Sequence, residues 1–407
     1  MSIEPATAPW LFLIGIGEDG PDGLSSAAKS ALAQAELIVG GTRHLALIGP
    51  TAQATLAWPS PLTDALPDIL ARRGRPVAVL ASGDPYFHGI GTTLAACIAP
   101  LEIVSFPQVS SFQLAANRLG WAEQDCALVS LHGRALARLI PHLQPGAMIL
   151  ALSWDGSTPG KVAEILKARG AGDTTVTVLE RLGGPFERIR SRSAAAFDLG
   201  DIDPLNTIAI HIPAGSLGRF LPLTAGRADD WFEHDGQITK RDVRAITLAA
   251  LAPRRGELLW DIGAGSGSIA IEWMLAHPMN EAIAIEPRPE RSARIGRNAL
   301  SLGVPDLRIV EGDAPAALGG LATPNAVFIG GGATTPGVIE TSLDALVPGG
   351  RLVINAVTLE TQSLLLDWRD RIGGELVQIA VSAAEPLGGF TGWTPARPIV
   401  QWRVTKP

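Results

Sequence analysis

The densest group of residues able to do chemistry lies in the stretch DIGAGSGSIAIEW, from Asp261 to Trp273. An apolar run ends at Asp261 and Ile262, and Gly263, Ala264, Gly265, Ser266 and Gly267 follow before a helical pattern begins. Glycines in such a place let the chain turn sharply and let a ligand lie directly against the backbone. Glu286 closes the next apolar run, 23 residues after Gly263. A carboxylate there can accept hydrogen bonds from both hydroxyls of a ribose. A third run ends in EGDAP, which puts Asp313 and Ala314 where they can border an adenine ring. Together these positions describe a nucleoside pocket on successive strand ends. The spacing is Gly-x-Gly-x-Gly, so the third glycine comes one residue earlier than in the dinucleotide fingerprint, which rests a pyrophosphate on a helix N-terminus. A nicotinamide dinucleotide stays open as an alternative ligand, and turn glycines beside a surface Glu are the plainest alternative of all.

These residues need elements to hold them, and the sequence supplies an α/β alternation in both halves. In the first half WLFLIGIG, PVAVLAS, LEIVSF, CALVSLHG, AMILALSW, TVTVLERL and NTIAIHIP read as strands, with helical stretches such as LSSAAKSALAQAEL and GKVAEILKARG between them. Periodicity lapses from about Gly215 to Asp235, which places a domain boundary near residues 220–230 and divides the chain into 1–220 and 221–407. The second half opens with the helix TKRDVRAITLAAL, with Thr239 as its expected N-cap. GELLWDIG, EAIAIEP, LRIVEGD, NAVFIGGG and GGRLVINAV follow as strands separated by helices, and ELVQIAVSAAEPL and RPIVQWRVT close the domain.

Composition narrows the classes. The 407 residues are 46% hydrophobic and 18% charged with a net charge of -7, the opposite of a disordered chain. Residues 1–220 hold 16 basic and 19 acidic side chains and residues 221–407 hold 17 and 21, so neither half is basic and a nucleic-acid partner is not expected. Cys97 and Cys126 are too few for a disulfide scaffold and read as small buried residues. No metal-binding motif is present. MSIEPATAPWLFLIGIG lacks a cationic region ahead of its apolar stretch, and no run approaches the ~20 apolar residues of a membrane span. A cytoplasmic protein without a membrane partner is expected.

The short glycine loop around Gly263 resembles that of adenosylmethionine-dependent methyltransferases, whose ligand carries no phosphate. In the first half, IGIGEDGPDGLS gives a formal dinucleotide match through Gly15, Gly17 and Gly20, with Glu36 near the expected distance. Pro21 and Gly23 interrupt it, and the helix is predicted to start only near residues 24–26. More specific are Gly83, Asp84 and Pro85 after a strand, the Pro107-x-x-Ser110-Ser111 helix start, Leu131-His132-Gly133, and Ser157-Thr158-Pro159 before a helix. Over about residues 10–215 these resemble the tetrapyrrole methylase family, which binds adenosylmethionine between two α/β lobes. The family's first loop usually reads Gly-x-Gly-Pro-Gly, and this chain departs from it. The resemblance implies that Gly83, Asp84, Pro85, Ser110, Ser111, Leu131 and Thr158 border the cofactor, although Asp84 alone also reads as a turn residue. His88, His132 and His142 read as loop or structural histidines.

Two such modules in one chain resemble the bifunctional, decarboxylating C5,15-methyltransferase family of cobalamin biosynthesis, over nearly the whole length. The implied architecture is a two-lobed tetrapyrrole methylase fold followed by a Rossmann-like class I methyltransferase fold, each with its own S-adenosylmethionine site. The implied reaction methylates C5 of precorrin-6B in the first module. The second module methylates C15 and removes the carboxyl group of the C12 acetate, giving precorrin-8X. ITKRDVR matches the family's Thr-Lys-x-x-Val-Arg start and places Thr239 beside the cofactor, and NAVTLET matches a late signature. Arg241, Arg244 and Arg397 are candidates for the substrate's carboxylates, and Glu360 is expected to face the substrate from a strand's carboxyl end. A tetramer built through the second module is implied. A cobalt-containing tetrapyrrole, a dehydrogenase built on either glycine loop, and a non-catalytic binding protein are the rival readings.

Overall fold

Strands form where aliphatic and β-branched residues run together, and they are buried on both faces where the sheet is parallel. The structure, a computed structural model, describes residues 8–407; residues 1–7, part of the stretch read for a leader, lie outside the described residues. Two compact units result, one of residues 1–134 with 144–219 and one of residues 135–143 with 220–407. No helix among the described residues is long and apolar enough to cross a membrane.

The first unit holds two sheets. The first is built from β1 (Leu11–Ile16), α1 (Ser26–Gln34), β2 (Leu37–Gly40), α2 (Thr42–Ile48), β3 (Ala54–Ala57), α3 (Leu66–Leu70), β4 (Val77–Ser82), α4 (Gly91–Ala95) and β5 (Ile103–Phe106). Its strand order is β3-β2-β4-β1-β5, all parallel. Leu11, Leu13, Val77 and Val79 pack on one face with Trp10 and Leu94. Ile14, Ile16 and Leu80 pack on the other with Ala28 and Ala31 of α1. The second sheet follows α5 (Ser111–Leu119) and contains β6 (Cys126–Ser130), β7 (Met148–Leu152), β8 (Thr175–Glu180), β9 (Arg188–Ser193) and β10 (Asn206–His211), with α6 (Thr158–Ala168) between β7 and β8. Its order is β6-β7-β10-β8-β9, and only the β6–β7 pair is parallel.

The second unit is one seven-stranded sheet and a separate hairpin. Its elements are α7 (Arg241–Leu251), β11 (Leu258–Ile262), α8 (Ser268–Ala276), β12 (Glu281–Glu286), α9 (Pro289–Leu302), β13 (Arg308–Glu311), β14 (Ala326–Ile329), α10 (Val338–Ala345), β15 (Arg351–Ala356), α11 (Leu359–Ile372), β16 (Glu375–Ile379), β17 (Ser382–Leu387), β18 (Phe390–Pro395) and β19 (Ile399–Thr405). The order β13-β12-β11-β14-β15-β19-β16 is parallel through β15, and β19 inserts antiparallel between β15 and β16. Successive strands from β11 to β13 step outward one way, and β14 returns to the other side of β11. That reversal opens a crevice at the carboxyl ends of the strands.

Several expectations are corrected. Cys97 is exposed, and Cys126, at the start of β6, is only half-buried against the edge of a core cluster. Lys240 occupies the N-cap position of α7 and makes no side-chain capping bond, so Thr239 is not the cap. The stretch ELVQIAVSAAEPL is not one strand. It breaks after Ile379, and its second half joins β18 in the β17–β18 hairpin, whose side chains are almost all exposed. Short β2 and β3 and the polar β9, RIRSRS, carry too little apolar alternation to be read from sequence.

Candidate functional site

The crevice of the second unit holds a cavity of about 870 Å³. Gly263, Ala264 and Gly265 line it from the turn after β11, Glu286 from the end of β12, Asp313 and Ala314 from the turn after β13, and Thr239 from the segment before α7. Gly263 has φ +70°, and a Cβ there would stand 2.9 Å from both N and O of Gly331. The β11 and β14 turns therefore meet backbone to backbone, which only glycine permits. Glu286 is buried, and its Oε2 accepts from the Gly265 amide at 2.8 Å while Oε1 accepts from the Arg288 amide at 3.3 Å. The carboxylate thus pins the glycine loop and keeps acceptor capacity on Oε1.

Below the loop lies Asp261, only 1% exposed, whose Oδ2 accepts from the Ala270 amide at 3.0 Å. Its Oδ1 has no partner among the described residues. Burial pushes its pKa up to about 7; the Ala270 amide opposes the rise and the Glu286 charge adds to it. In the sequence Asp261 reads only as the end of a strand. Its signal, an acid closing a buried run just before a glycine loop, was present but unused. A backbone-lined cradle and a buried ribose-type acid together suit a ligand that carries an adenosine.

Two residues of the glycine loop do not line the cavity. The Ser266 carbonyl accepts from Asn298 Nδ2, and Gly267 backs onto Ile295 of α9, where a Cβ would stand 2.8 Å from its Cγ2. They shape the loop from behind. The lining also includes Arg241, Asn355, Val357, Ile379, Val381, Arg397 and Ile399. Arg241 donates through Nε to the Gly226 carbonyl, and Arg397 is exposed. Arg244 is not a substrate arginine. It is wholly buried, binds Glu272 at 2.9 Å and Asp229 at 3.1 Å, and also donates to the Thr239 and Arg227 carbonyls, which holds the segment before α7 in place. Glu360 stands exposed in the first turn of α11, where an acid suits the helix's positive end, and is not among the lining residues.

In the first unit Gly83, Asp84 and Pro85 leave β4 beside the start of α5. Gly83 has φ +57°, and a Cβ on it would come within 2.9 Å of Ser110 Cα. Its carbonyl accepts from the Gln108 amide, and a Cβ on Gly15 would collide with that same carbonyl, so the β1, β4 and β5 turns close on one point. Asp84 Oδ1 accepts from the Tyr86 amide at 2.8 Å, the turn role that its setting allowed. Ser110 forms a reciprocal capping box with Gln113, and Ser111 begins α5. Leu131 directly follows β6, and Thr158 opens α6. Leu131 is buried and donates its amide to Leu152, and Thr158 Oγ1 accepts from the Trp154 and Asp155 amides. Sequence reasoning missed a polar cluster at this end of the first sheet. Glu18 pairs with Arg43 and with Arg181, and Arg43 and His44 both bond Ser82. Burial, then the Arg43 charge, lowers the His44 pKa to about 4, so its ring is neutral. No local spacing links residues so far apart in sequence.

Comparison with known proteins assigns both units. Residues 11–197 match the family described as tetrapyrrole (corrin/porphyrin) methylases, and residues 230–406 match the precorrin methyltransferase domain. Both descriptions are of tetrapyrrole methyltransferases, the class that the two α/β units and the glycine-loop cavity define. The precorrin-6Y C(5,15)-methyltransferase (decarboxylating) of a Sinorhizobium species is 57% identical over 99% of this chain and 98% of its own. The chain belongs to the precorrin-6Y C(5,15)-methyltransferase (decarboxylating) family. Two Salmonella typhimurium proteins are each similar to less than half of it. A cobalt-precorrin-6B C(15)-methyltransferase (decarboxylating) is 34% identical over 40% of this chain and 85% of its own length. A cobalt-precorrin-7 C(5)-methyltransferase is 32% identical over 44% of this chain and 88% of its own.

Proposed function

We propose that this chain methylates C5 and C15 of precorrin-6B (precorrin-6Y) and decarboxylates its C12 acetate to give precorrin-8X, with one S-adenosylmethionine site in each unit. The first unit, read as residues 1–220, takes the C5 step, and the Rossmann-like second unit, residues 221–407, takes the C15 and decarboxylation steps. The observation that carries this reading is the second unit's cavity, where the Gly263–Gly265 turn is tied by a backbone amide to a buried Glu286. The existence of separate C(5) and C(15) enzymes similar to parts of the chain supports a division of labour.

When bound, adenosylmethionine supplies an electrophilic methyl group on a sulfonium. The chain's task is then alignment and electrostatics rather than strong-base chemistry. Glu286 holds the ribose, and Asp313 and Ala314 border the adenine. Arg241 and Arg397, also on the lining, provide cations for the substrate's carboxylates. In the first unit Gly83, Asp84, Pro85, Ser110 and Ser111, with Leu131 after β6 and Thr158 at the start of α6, border the corresponding cofactor. Loss of carbon dioxide needs an electron sink, which a protonated imine of the tetrapyrrole itself provides. The exposed β17–β18 hairpin, with Leu387 at 69%, Phe390 at 84% and Trp393 at 77% exposure, supports assembly of a tetramer through the second unit.

Mass spectrometry of the product formed from a hexamethylated, ring-reduced precorrin and adenosylmethionine tests the reading. Two added methyl groups and one lost carbon dioxide are expected; a reduced or unchanged tetrapyrrole would reject it.

A further inference from the structure

The cavity lining contains one polar side chain whose orientation is fixed from behind. Thr247 Oγ1 donates its only hydrogen to the Val243 carbonyl at 2.8 Å, so its two other neighbours must be N–H donors. They are Asn355 Nδ2 at 3.0 Å and Gln401 Nε2 at 3.1 Å. Gln401 is wholly buried and stands directly across the β15–β19 pair from Asn355. Its Oε1 accepts from Arg403 Nε at 2.7 Å, and its Nε2 gives a second hydrogen to Asn355 Oδ1 at 2.8 Å. Arg403 has no acceptor to offer, so the direction of every bond in the chain Arg403–Gln401–Asn355–Thr247 is determined. Asn355 has its oxygen engaged and one N–H engaged, and its second N–H has no acceptor among the described residues.

Asn355 lines the cavity, as do Val357, Ile379, Val381 and Ile399. A neutral donor fixed in direction thus shares the lining with four aliphatic side chains and with the cations Arg241 and Arg397. We propose that Asn355 is the residue that positions the departing acetate, donating its free N–H to that carboxylate, with Gln401 and Thr247 as positioning residues behind it. The proposal rests on the second unit being the decarboxylating module.

The physical reason lies in where charge goes. The C–CO₂ bond breaks heterolytically, its electron pair enters the conjugated ring toward the protonated imine, neutral CO₂ leaves, and a proton from solvent completes the new methyl group. A guanidinium paired to the acetate would stabilise the carboxylate charge that must disappear and would oppose the step. A single neutral hydrogen bond orients the group with less stabilisation of its charge. The other carboxylates, which do not react, are the ones suited to arginine.

The test uses the full chain, a precorrin labelled in the C12 carboxyl group, and separate readouts of released CO₂, of methyl groups added at C15 and C5, and of adenosylmethionine affinity. Asn355→Ala is expected to slow CO₂ release relative to C15 methylation by roughly ten- to a hundredfold, as for loss of a hydrogen bond to a charged group. A C15-methylated product retaining the acetate should accumulate, with C5 methylation and cofactor affinity unchanged. Asn355→Asp, nearly isosteric, replaces the donor with a charge and should lose at least as much, and it carries the test should the alanine variant not fold. Gln401→Leu frees the amide to rotate and should lower kcat for CO₂ release with KM little changed. Unchanged CO₂ release in both Asn355 variants, or loss of C15 methylation and CO₂ release in equal proportion, would overturn the proposal. A wild-type chain that methylates nothing would instead overturn the functional reading beneath it.

Discussion

Replacing Asp261 with Asn should make the protein more stable in mild alkali and leave it little changed in mild acid. The ordinary carboxyl value is 3.8, and burial holds Asp261 at about 7 in the fold. Between those values the folded chain keeps a proton that the unfolded chain has lost. Stability therefore falls as pH rises through this window, and the loss is complete above the folded pKa. A shift of about three pK units at 1.36 kcal/mol each sets an upper limit of about 4 kcal/mol on the cost of the ionised side chain. Asn keeps an oxygen for the Ala270 amide but leaves its own N–H₂ unsatisfied where Oδ1 now lacks a partner, at a cost of about 1–3 kcal/mol. The net expectation is a gain of about 1–3 kcal/mol near pH 8 and none, or a small loss, near pH 5. Urea unfolding of the full chain at both pH values, followed by tryptophan fluorescence, measures it; Trp260 and Trp273 lie in the buried interior of the same unit. A gain of equal size at both pH values, or a loss near pH 8, would show that the carboxyl is not held protonated.

Other expectations follow from the same geometry. Gly263→Ala combines a positive φ with a Cβ 2.9 Å from Gly331, so it should abolish cofactor binding in the second unit and cost about 1–3 kcal/mol of stability, read by calorimetry and thermal denaturation. Ser110→Ala removes a capping box and should cost about 1 kcal/mol in unfolding experiments, with a weakened first-unit site because Gly83 rests on Ser110. Charged substitutions at Leu387, Phe390 and Trp393 should dissociate the proposed tetramer in light scattering while the sheet of the second unit stays folded.

Most strands of the parallel sheets are legible as short unbroken apolar runs, while the four-residue β2 and β3 are not. In the second unit the chemistry sits on those same strand ends, so Gly263, Glu286, Asp313 and Ala314 could be placed in order along the chain and the structure brings them to one cavity. What failed depended on partners distant in sequence. Arg244 looked like a surface cation until Glu272 and Asp229 enclosed it. Asn355 gained meaning only from Gln401 on a strand 46 residues later and from Thr247 on a helix 108 residues earlier. The grouping of residues 135–143 with the second unit has no local signal at all. Glu360 follows a strand, but the chain there starts α11, and the residue is exposed and outside the cavity lining.

The central claim is a chain with two independent sites for one sulfonium donor. Isothermal titration of the intact protein with adenosylmethionine, repeated on Glu286→Ala, tests it most directly. Two equivalents bound by the wild type and one by the variant, with the survivor at unchanged affinity, are expected. A stoichiometry of one in the wild type, or loss of all binding in a variant that remains folded, would contradict it.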